Sequence, residues 1–215
     1  MAAGQRARLV SLLTEGRGRG LLGPGPVEEH VEHSLVFATA LEGWARGSAL
    51  GPLLDLGSGA GVPGLVVALA LPSVELDLLD GREQRAEFLL GAVTALDLAG
   101  RVGVISCRAE EAARGGRRGR YAAVLARGFG PPAVTAECGV GFLRPGGVLV
   151  VSEPPGGDGA VNDQARWPEE GVAQLGLRMA GRITTPRSLV LLEASATCPE
   201  RFPRRVGIPA KRPLF

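Results

Sequence analysis

The chain has 215 residues, 45% of them hydrophobic and 21% charged, with a formal net charge of +2, which fits one α/β-sized globular domain with a small appendage. Its 33 Gly and 16 Pro residues follow no collagen-like period and are separated by Val- and Leu-rich runs, which argues against bulk disorder. The longest apolar run, residues 65–71, falls far short of the about 20 residues a membrane helix needs.

The amino terminus carries basic residues ahead of a short apolar patch, residues 9–13, too brief for a secretory signal. Residues 5–13 and 27–44 read as helices split by the Gly/Pro-rich stretch 16–26, a helical cap over residues 1–48. From residue 49 onward, short Val/Leu-rich runs alternate with helix-period segments, the order of a parallel sheet covered on both faces. Strands are predicted at 52–56, 74–79, 102–107, 121–126 and 147–152. Helices are predicted at 62–71, ended by Pro72, and at 82–98, with Phe88, Leu89, Ala92, Val93 and Leu96 on one face. A third, at 131–143, opens on a Pro pair and closes before Arg-Pro-Gly-Gly. Beyond Ser152 come a Pro/Gly loop, a short helix near 168–175 and two strands, 177–183 and 188–195, spaced as a hairpin. Cys107, Cys138 and Cys198 are scattered and lack metal-ligand spacing, so neither a disulfide framework nor a zinc site is expected, and a reducing cytoplasm is the natural compartment.

The most informative stretch runs from Leu53 to Gly64: a strand ending in Asp55-Leu56, the loop Gly57-Ser58-Gly59-Ala60-Gly61-Val62-Pro63-Gly64, then a helix. Glycines let the backbone approach a ligand, and a helix amino terminus offers free N–H groups. Two ligands fit. Gly59 to Gly64 matches the dinucleotide fingerprint, with Asp80 as a ribose-binding acid 21 residues on. The alternative is the Asp-x-Gly-x-Gly-x-Gly loop of S-adenosyl-L-methionine enzymes. Asp55 favours the latter, because a carboxylate repels a pyrophosphate but attracts the ammonium of a methionine moiety. So does register, since the first glycine after the strand is Gly57, two residues before the dinucleotide match. Asp80 ends the second strand, where an open α/β sheet exposes its ligand crevice; its other reading is a cap for the following helix.

Together these residues resemble the bacterial 16S ribosomal RNA guanine-N7 methyltransferases, the glucose-inhibited division protein B family. The resemblance rests on the run from Asp55 to Gly64, Leu78-Leu79-Asp80, Arg85-Ala86-Glu87-Phe88-Leu89, Arg108-Ala109-Glu110, Ala126-Arg127, Leu143-Arg144-Pro145-Gly146-Gly147 and the tail from Phe202 to Leu214. It implies a class I methyltransferase fold: a mostly parallel, Rossmann-like seven-stranded sheet with helices on both faces. It implies S-adenosyl-L-methionine as cofactor, held by Asp55, Gly57, Gly59, Val62, Asp80, Ala109, Glu110 and Arg127, with Glu110 or its backbone near the adenine and Arg127 near the donor carboxylate or the target base. The implied partner is 16S ribosomal RNA or the small ribosomal subunit, without a metal or a membrane, and the implied chain is a monomer. Guanine N7 carries a lone pair and no proton, so alignment and water exclusion carry the reaction and no general base is required. No catalytic side chain is singled out.

Residues 114–120 contribute four Arg, and residues 200–215 five basic residues and one acid, leaving a net −6 on the rest. Both basic segments suit RNA phosphate. The sequence departs from the family where Ser152-Glu153 replaces Lys-Gly, where Pro154-Pro155 follows, and where Glu29-His30 and His33 replace an Arg-His pair and a downstream Asp or Asn. Three functions compete: an RNA guanine-N7 methyltransferase, a divergent methyltransferase with a small-molecule or protein substrate, and a non-catalytic RNA-binding or ribosome-assembly module.

Overall fold

A computed structural model describes residues 1–46, 49–154, 165–185 and 187–215. Seven strands run in the order β3-β2-β1-β4-β5-β7-β6, a mostly parallel sheet of the expected class. The chain clusters into two compact units, Met1–Cys107 and Arg108–Phe215.

In the first unit, α1 (Ala3–Gly18) and α2 (Val27–Ala45) precede β1 (Leu53–Leu56), α3 (Gly64–Ala70), β2 (Leu76–Asp80), α4 (Glu83–Ala95) and β3 (Val102–Ser106). The strands are parallel, with Leu56 opposite Leu79 and Asp80 opposite Ser106, so their carboxyl ends line one edge. Every residue of β1 is buried, as a strand covered on both faces requires. Helix α4 lays Phe88, Leu89, Ala92 and Val93 inward, the face its periodicity predicts. Helix α1 runs past the expected residue 13 to Gly18 because Gly16 is an interior contact: a Cβ there would sit 3.0 Å from Phe88 and 3.1 Å from Ala60. The amino-terminal helices therefore share the core of β1–β3, with α2 on α3 and α1 on α4.

The second unit contains α5 (Ala109–Ala112), β4 (Tyr121–Ala126), α6 (Pro132–Val140), β5 (Leu143–Ser152), α7 (Glu169–Ala173), β6 (Leu177–Ile183), β7 (Leu189–Ala194) and α8 (Ile208–Lys211). Strands β4 and β5 are parallel, whereas β7 pairs antiparallel with both β5 and β6, giving the hairpin that the spacing predicts. Strand β5 begins four residues earlier than expected. Tyr121 pairs with Leu143 and Ala123 with Val148, so Arg144-Pro145-Gly146-Gly147 is an excursion within the strand, not the punctuation after a helix. The expected loop beyond Pro154 lies outside the described residues. No helix among the described residues is long and apolar enough to cross a membrane.

Candidate functional site

At the carboxyl edge of β1 and β2 the glycine loop is bound by its own protein. The amides of Gly57 and Ser58 donate to the Leu79 carbonyl at 2.8 and 3.0 Å, and that of Gly61 to the Ser58 carbonyl at 2.7 Å. Ser58 Oγ donates to the Asp55 carbonyl at 3.0 Å. Two buried carboxylates complete the frame. Asp55 Oδ2 accepts the Gly64 amide at 3.0 Å, at the start of α3. Asp80 Oδ2 accepts the Gly59 amide at 3.0 Å and Arg85 Nη1 at 3.3 Å, while its Oδ1 accepts the Arg82 amide at 3.0 Å. Gly59 has φ +57°, and a Cβ on it would lie 3.2 Å from the Leu21 carbonyl, so the α1–α2 connection lies directly against the loop. Gly64 has no room for a side chain at all, with Leu78 Cδ2 at 2.3 Å from a built Cβ.

Asp55, Gly57, Gly59, Val62 and Asp80 are thus brought together on one edge of one unit. Their observed work is partly structural. Asp55 is fully buried, and its hydrogen bond from the Gly64 amide clamps the start of α3. Asp80 holds the chain entering α4 through the Arg82 amide, near the cap role expected of it, and it also fastens the loop through Gly59, a role not foreseen. A carboxylate offers about four acceptor positions, and three are filled. Gly57 is half-exposed, unlike Gly59 and Val62.

In the second unit, Ala109 and Glu110 open α5, and both are buried. Glu110 Oε1 accepts the Gly207 amide at 3.0 Å, and Arg108 Nε lies 3.8 Å from its Oε2. The Glu110 side chain therefore faces the carboxyl-terminal tail. Arg127 follows Ala126, which pairs with Val151, so it shares the edge at which β5 ends in Ser152. Glu153, where the family has a glycine after its lysine, presents no bare anion. Its Oε2 accepts Arg166 Nε at 2.6 Å and its Oε1 accepts Trp167 Nε1 at 3.1 Å.

The basic segments divide by use. Arg118 donates to the carbonyls of Phe202, Cys198 and Pro199 at 2.7, 2.8 and 3.1 Å, and Arg114 Nε to that of Pro203 at 2.7 Å. Arg204 meets Glu137 in a fork, Nε to Oε1 at 2.9 Å and Nη2 to Oε2 at 2.6 Å, with the Arg204 amide also on Oε1 at 2.8 Å. Three arginines assigned to RNA by composition are therefore fasteners of the tail. Hydrogen bonding to Glu137 holds the Arg204 guanidinium above its ordinary value. Glu137 is fully buried, and the signal that could have revealed it is its place as the lone acid in α6, whose other residues are uncharged. Burial also pushes the Cys138 and Cys198 thiols up, with Glu110 and Glu137 adding to the shift at Cys138. His30 Nε2 contacts the Gly23 carbonyl at 3.2 Å, and no group of three or more candidate metal ligands occurs among the described residues.

The family model for rRNA small subunit methyltransferase G matches residues 9–153. A ribosomal RNA small subunit methyltransferase G from Rubrobacter xylanophilus is 37% identical over 177 residues, covering 77% of this chain and 66% of the relative. One from Deinococcus deserti is 33% identical, covering 98% of this chain and 88% of the relative. Among solved structures, an O-methyltransferase family protein from Burkholderia thailandensis superimposes with a TM-score of 0.54 at 16% identity, over 77% of this chain and 57% of that one; that likeness is one of fold.

Proposed function

The chain belongs to the small-subunit ribosomal RNA methyltransferase G family, and from that premise we propose that it transfers the methyl group of S-adenosyl-L-methionine to guanine N7 of 16S ribosomal RNA. The observation that carries the choice of cofactor is the glycine loop held between two carboxylates. Asp55 occupies the Gly64 amide and Asp80 the Gly59 amide, so a dinucleotide pyrophosphate would meet two anions where it needs donors. S-adenosyl-L-methionine carries no phosphate and brings a cationic sulfonium and an ammonium group.

The residues present fit that group. Gly59 and Gly64 have no room for a side chain because Leu21, Asp55 and Leu78 of the protein itself pack against them, which leaves the half-exposed backbone at Gly57 as the open part of the loop. Asp80 keeps one acceptor position for a ribose hydroxyl. Gly57 and Val62 would line the methionine portion, the backbone at Ala109 and Glu110 the adenine, and Arg127 the donor carboxylate or the base. When bound, the cofactor supplies an electrophilic methyl group. The chain's own contribution is positional. The carboxylate-braced loop fixes the floor of the site before binding, so little ordering remains to be done at the moment of reaction. The apolar residues beneath it, Leu54, Leu56 and Leu78, all buried, keep water from below. Guanine N7 is an acceptor with no proton to lose, so no side chain has to act as a base. The substrate sets the cytoplasm as the compartment.

The test is transfer of labelled methyl from S-adenosyl-L-methionine to small-subunit RNA by the purified protein, with the label recovered as 7-methylguanosine. Donor binding without label in RNA would refute the reading. It would favour a methyltransferase with another substrate, the alternative supported by Glu153, whose pairing with Arg166 and Trp167 replaces the family's Lys-Gly.

A further inference from the structure

Residues 204–212 fold back on themselves. The Ile208 amide donates to the Arg205 carbonyl at 3.0 Å, that of Lys211 to Gly207 at 3.1 Å and that of Arg212 to Ile208 at 2.9 Å. Arg204 Nη2, donating to the Arg212 carbonyl at 2.7 Å, closes the loop. Two buried carboxylates pin it to the second unit, Glu137 through Arg204 and Glu110 through the Gly207 amide. Facing outward are Arg205, Lys211 and Arg212, all exposed, and no ion pair joins any of them to a carboxylate among the described residues.

We propose that this pinned loop is a contact surface for RNA phosphates, with Arg205, Lys211 and Arg212 on the phosphates and Arg204 as a positioning residue that holds them in place. The identity of the nucleic acid rests on the function proposed above; the surface itself rests on the geometry. Three like charges within eight residues repel one another in the free protein. A fold that places them together with no ion-pair partner among the described residues, and anchors their backbone with two buried carboxylates, has ordered the loop in advance for an anionic partner, which lowers the cost of binding. Two of the three are arginines, whose planar fork suits phosphate. The only large apolar side chain exposed on this loop is Val206, at 44%, far less than the apolar face by which helices adsorb to membranes. Adjacent arginines therefore divide the labour: Arg204 points into the protein, and Arg205 points out.

The experiment measures binding of the full chain to a small-subunit RNA transcript across a salt series, with phosphatidylserine vesicles as a second probe. It compares the wild type, the triple variant Arg205→Gln, Lys211→Gln, Arg212→Gln, and Glu137→Gln. Each phosphate that the protein ceases to neutralise reduces the slope of log affinity against log salt by about 0.7 to 0.9, so the triple variant flattens it by about 2 to 3 while its affinity for S-adenosyl-L-methionine stays at the wild-type value. Glu137→Gln weakens RNA binding severalfold although it makes the protein more positive, because the loop loses its anchor; simple electrostatics requires the reverse. An unchanged slope in the triple variant overturns the proposal, as does tighter RNA binding by a Glu137→Gln protein that melts like the wild type. So does loss of vesicle binding with RNA binding intact. Should Glu137→Gln fail to fold, the triple variant, confined to exposed side chains, decides alone. Methyl transfer is scored separately: a flattened slope without transfer refutes the proposed function and leaves the surface standing, and the converse result refutes the surface.

Discussion

Replacing Asp80 with Asn removes the charge that joins β2 to the glycine loop and changes little else in size. One oxygen survives to accept the Arg82 amide, but the amide nitrogen of Asn then faces the Gly59 N–H at 3.0 Å and Arg85 Nη1 at 3.3 Å. The Gly59 amide is buried, and a hydrogen bond to a charged acceptor contributes about 1.5–3 kcal/mol. The Asp80–Arg85 pair, with the Arg85 side chain 28% exposed, adds roughly 0.5 kcal/mol after solvent screening. Relief from burying a carboxylate offsets part of this, so the expected loss is about 2–3 kcal/mol. For a chain of this size each kcal/mol lowers Tm by about 2–4 °C, and Tm should fall by roughly 4–12 °C. Urea unfolding followed by far-ultraviolet circular dichroism gives the free energy, and calorimetry with S-adenosyl-L-methionine gives the second readout, since a loop no longer anchored at Gly59 binds the donor at least tenfold more weakly. A variant that unfolds at the wild-type urea midpoint and binds the donor normally would refute the claim that Asp80 braces the loop.

Gly59→Ala places a side chain on a residue with φ +57° and 3.2 Å from the Leu21 carbonyl. It should cost about 1–2 kcal/mol in strain, read from the same unfolding curves, and weaken donor binding with it. Glu137→Ala strips the buried partner from Arg204 and from the tail backbone; leaving one member of a buried pair alone costs about 3–5 kcal/mol, and limited proteolysis should then cut first within residues 200–215. The raised pKa of Cys138 has a definite sign. The folded thiol stays protonated while the unfolded one ionises above about pH 8.5, so this contribution to stability is present below that pH and is lost as pH rises. A Cys138→Ala variant should show a flatter fall in urea midpoint between pH 8 and pH 10 than the wild type. In native protein, a thiol reagent at pH 8 should label the half-exposed Cys107 well before Cys138 or Cys198.

All seven strands were legible: the inner ones are short apolar runs bounded by Gly, Pro or polar residues, buried as a covered sheet requires, whereas the edge strand β6, which carries two arginines and is mostly exposed or half-buried, was legible from its hairpin spacing to β7. The site was legible where backbone chemistry dictates residue type: the glycine loop must be glycine, and an acid at the end of β2 must face it. What escaped was the use of charge at long range. Arg114 and Arg118 read as a solvated or RNA-binding run because nothing local shows that carbonyls of residues 198–203, 80 to 89 positions away, come to rest on them. The hydrogen bond from the Gly207 amide to the Glu110 side chain, 97 positions away, was invisible for the same reason. The start of β5 was missed because Arg-Pro-Gly-Gly looks like an end of structure, and only its partner strand reveals that pairing resumes on the near side of it. Local pattern carries the elements and the loop; it carries no information about which distant backbone a guanidinium will cap.

Methyl transfer to guanine N7 in small-subunit RNA is tested most directly by mass spectrometry of the nucleosides from 16S RNA of cells with and without this gene. 7-Methylguanosine should disappear from that RNA when the gene is deleted and return with the wild-type gene, but not with a Gly59→Asp variant. Undiminished 7-methylguanosine in the deletion strain would contradict methyl transfer to guanine N7 by this protein.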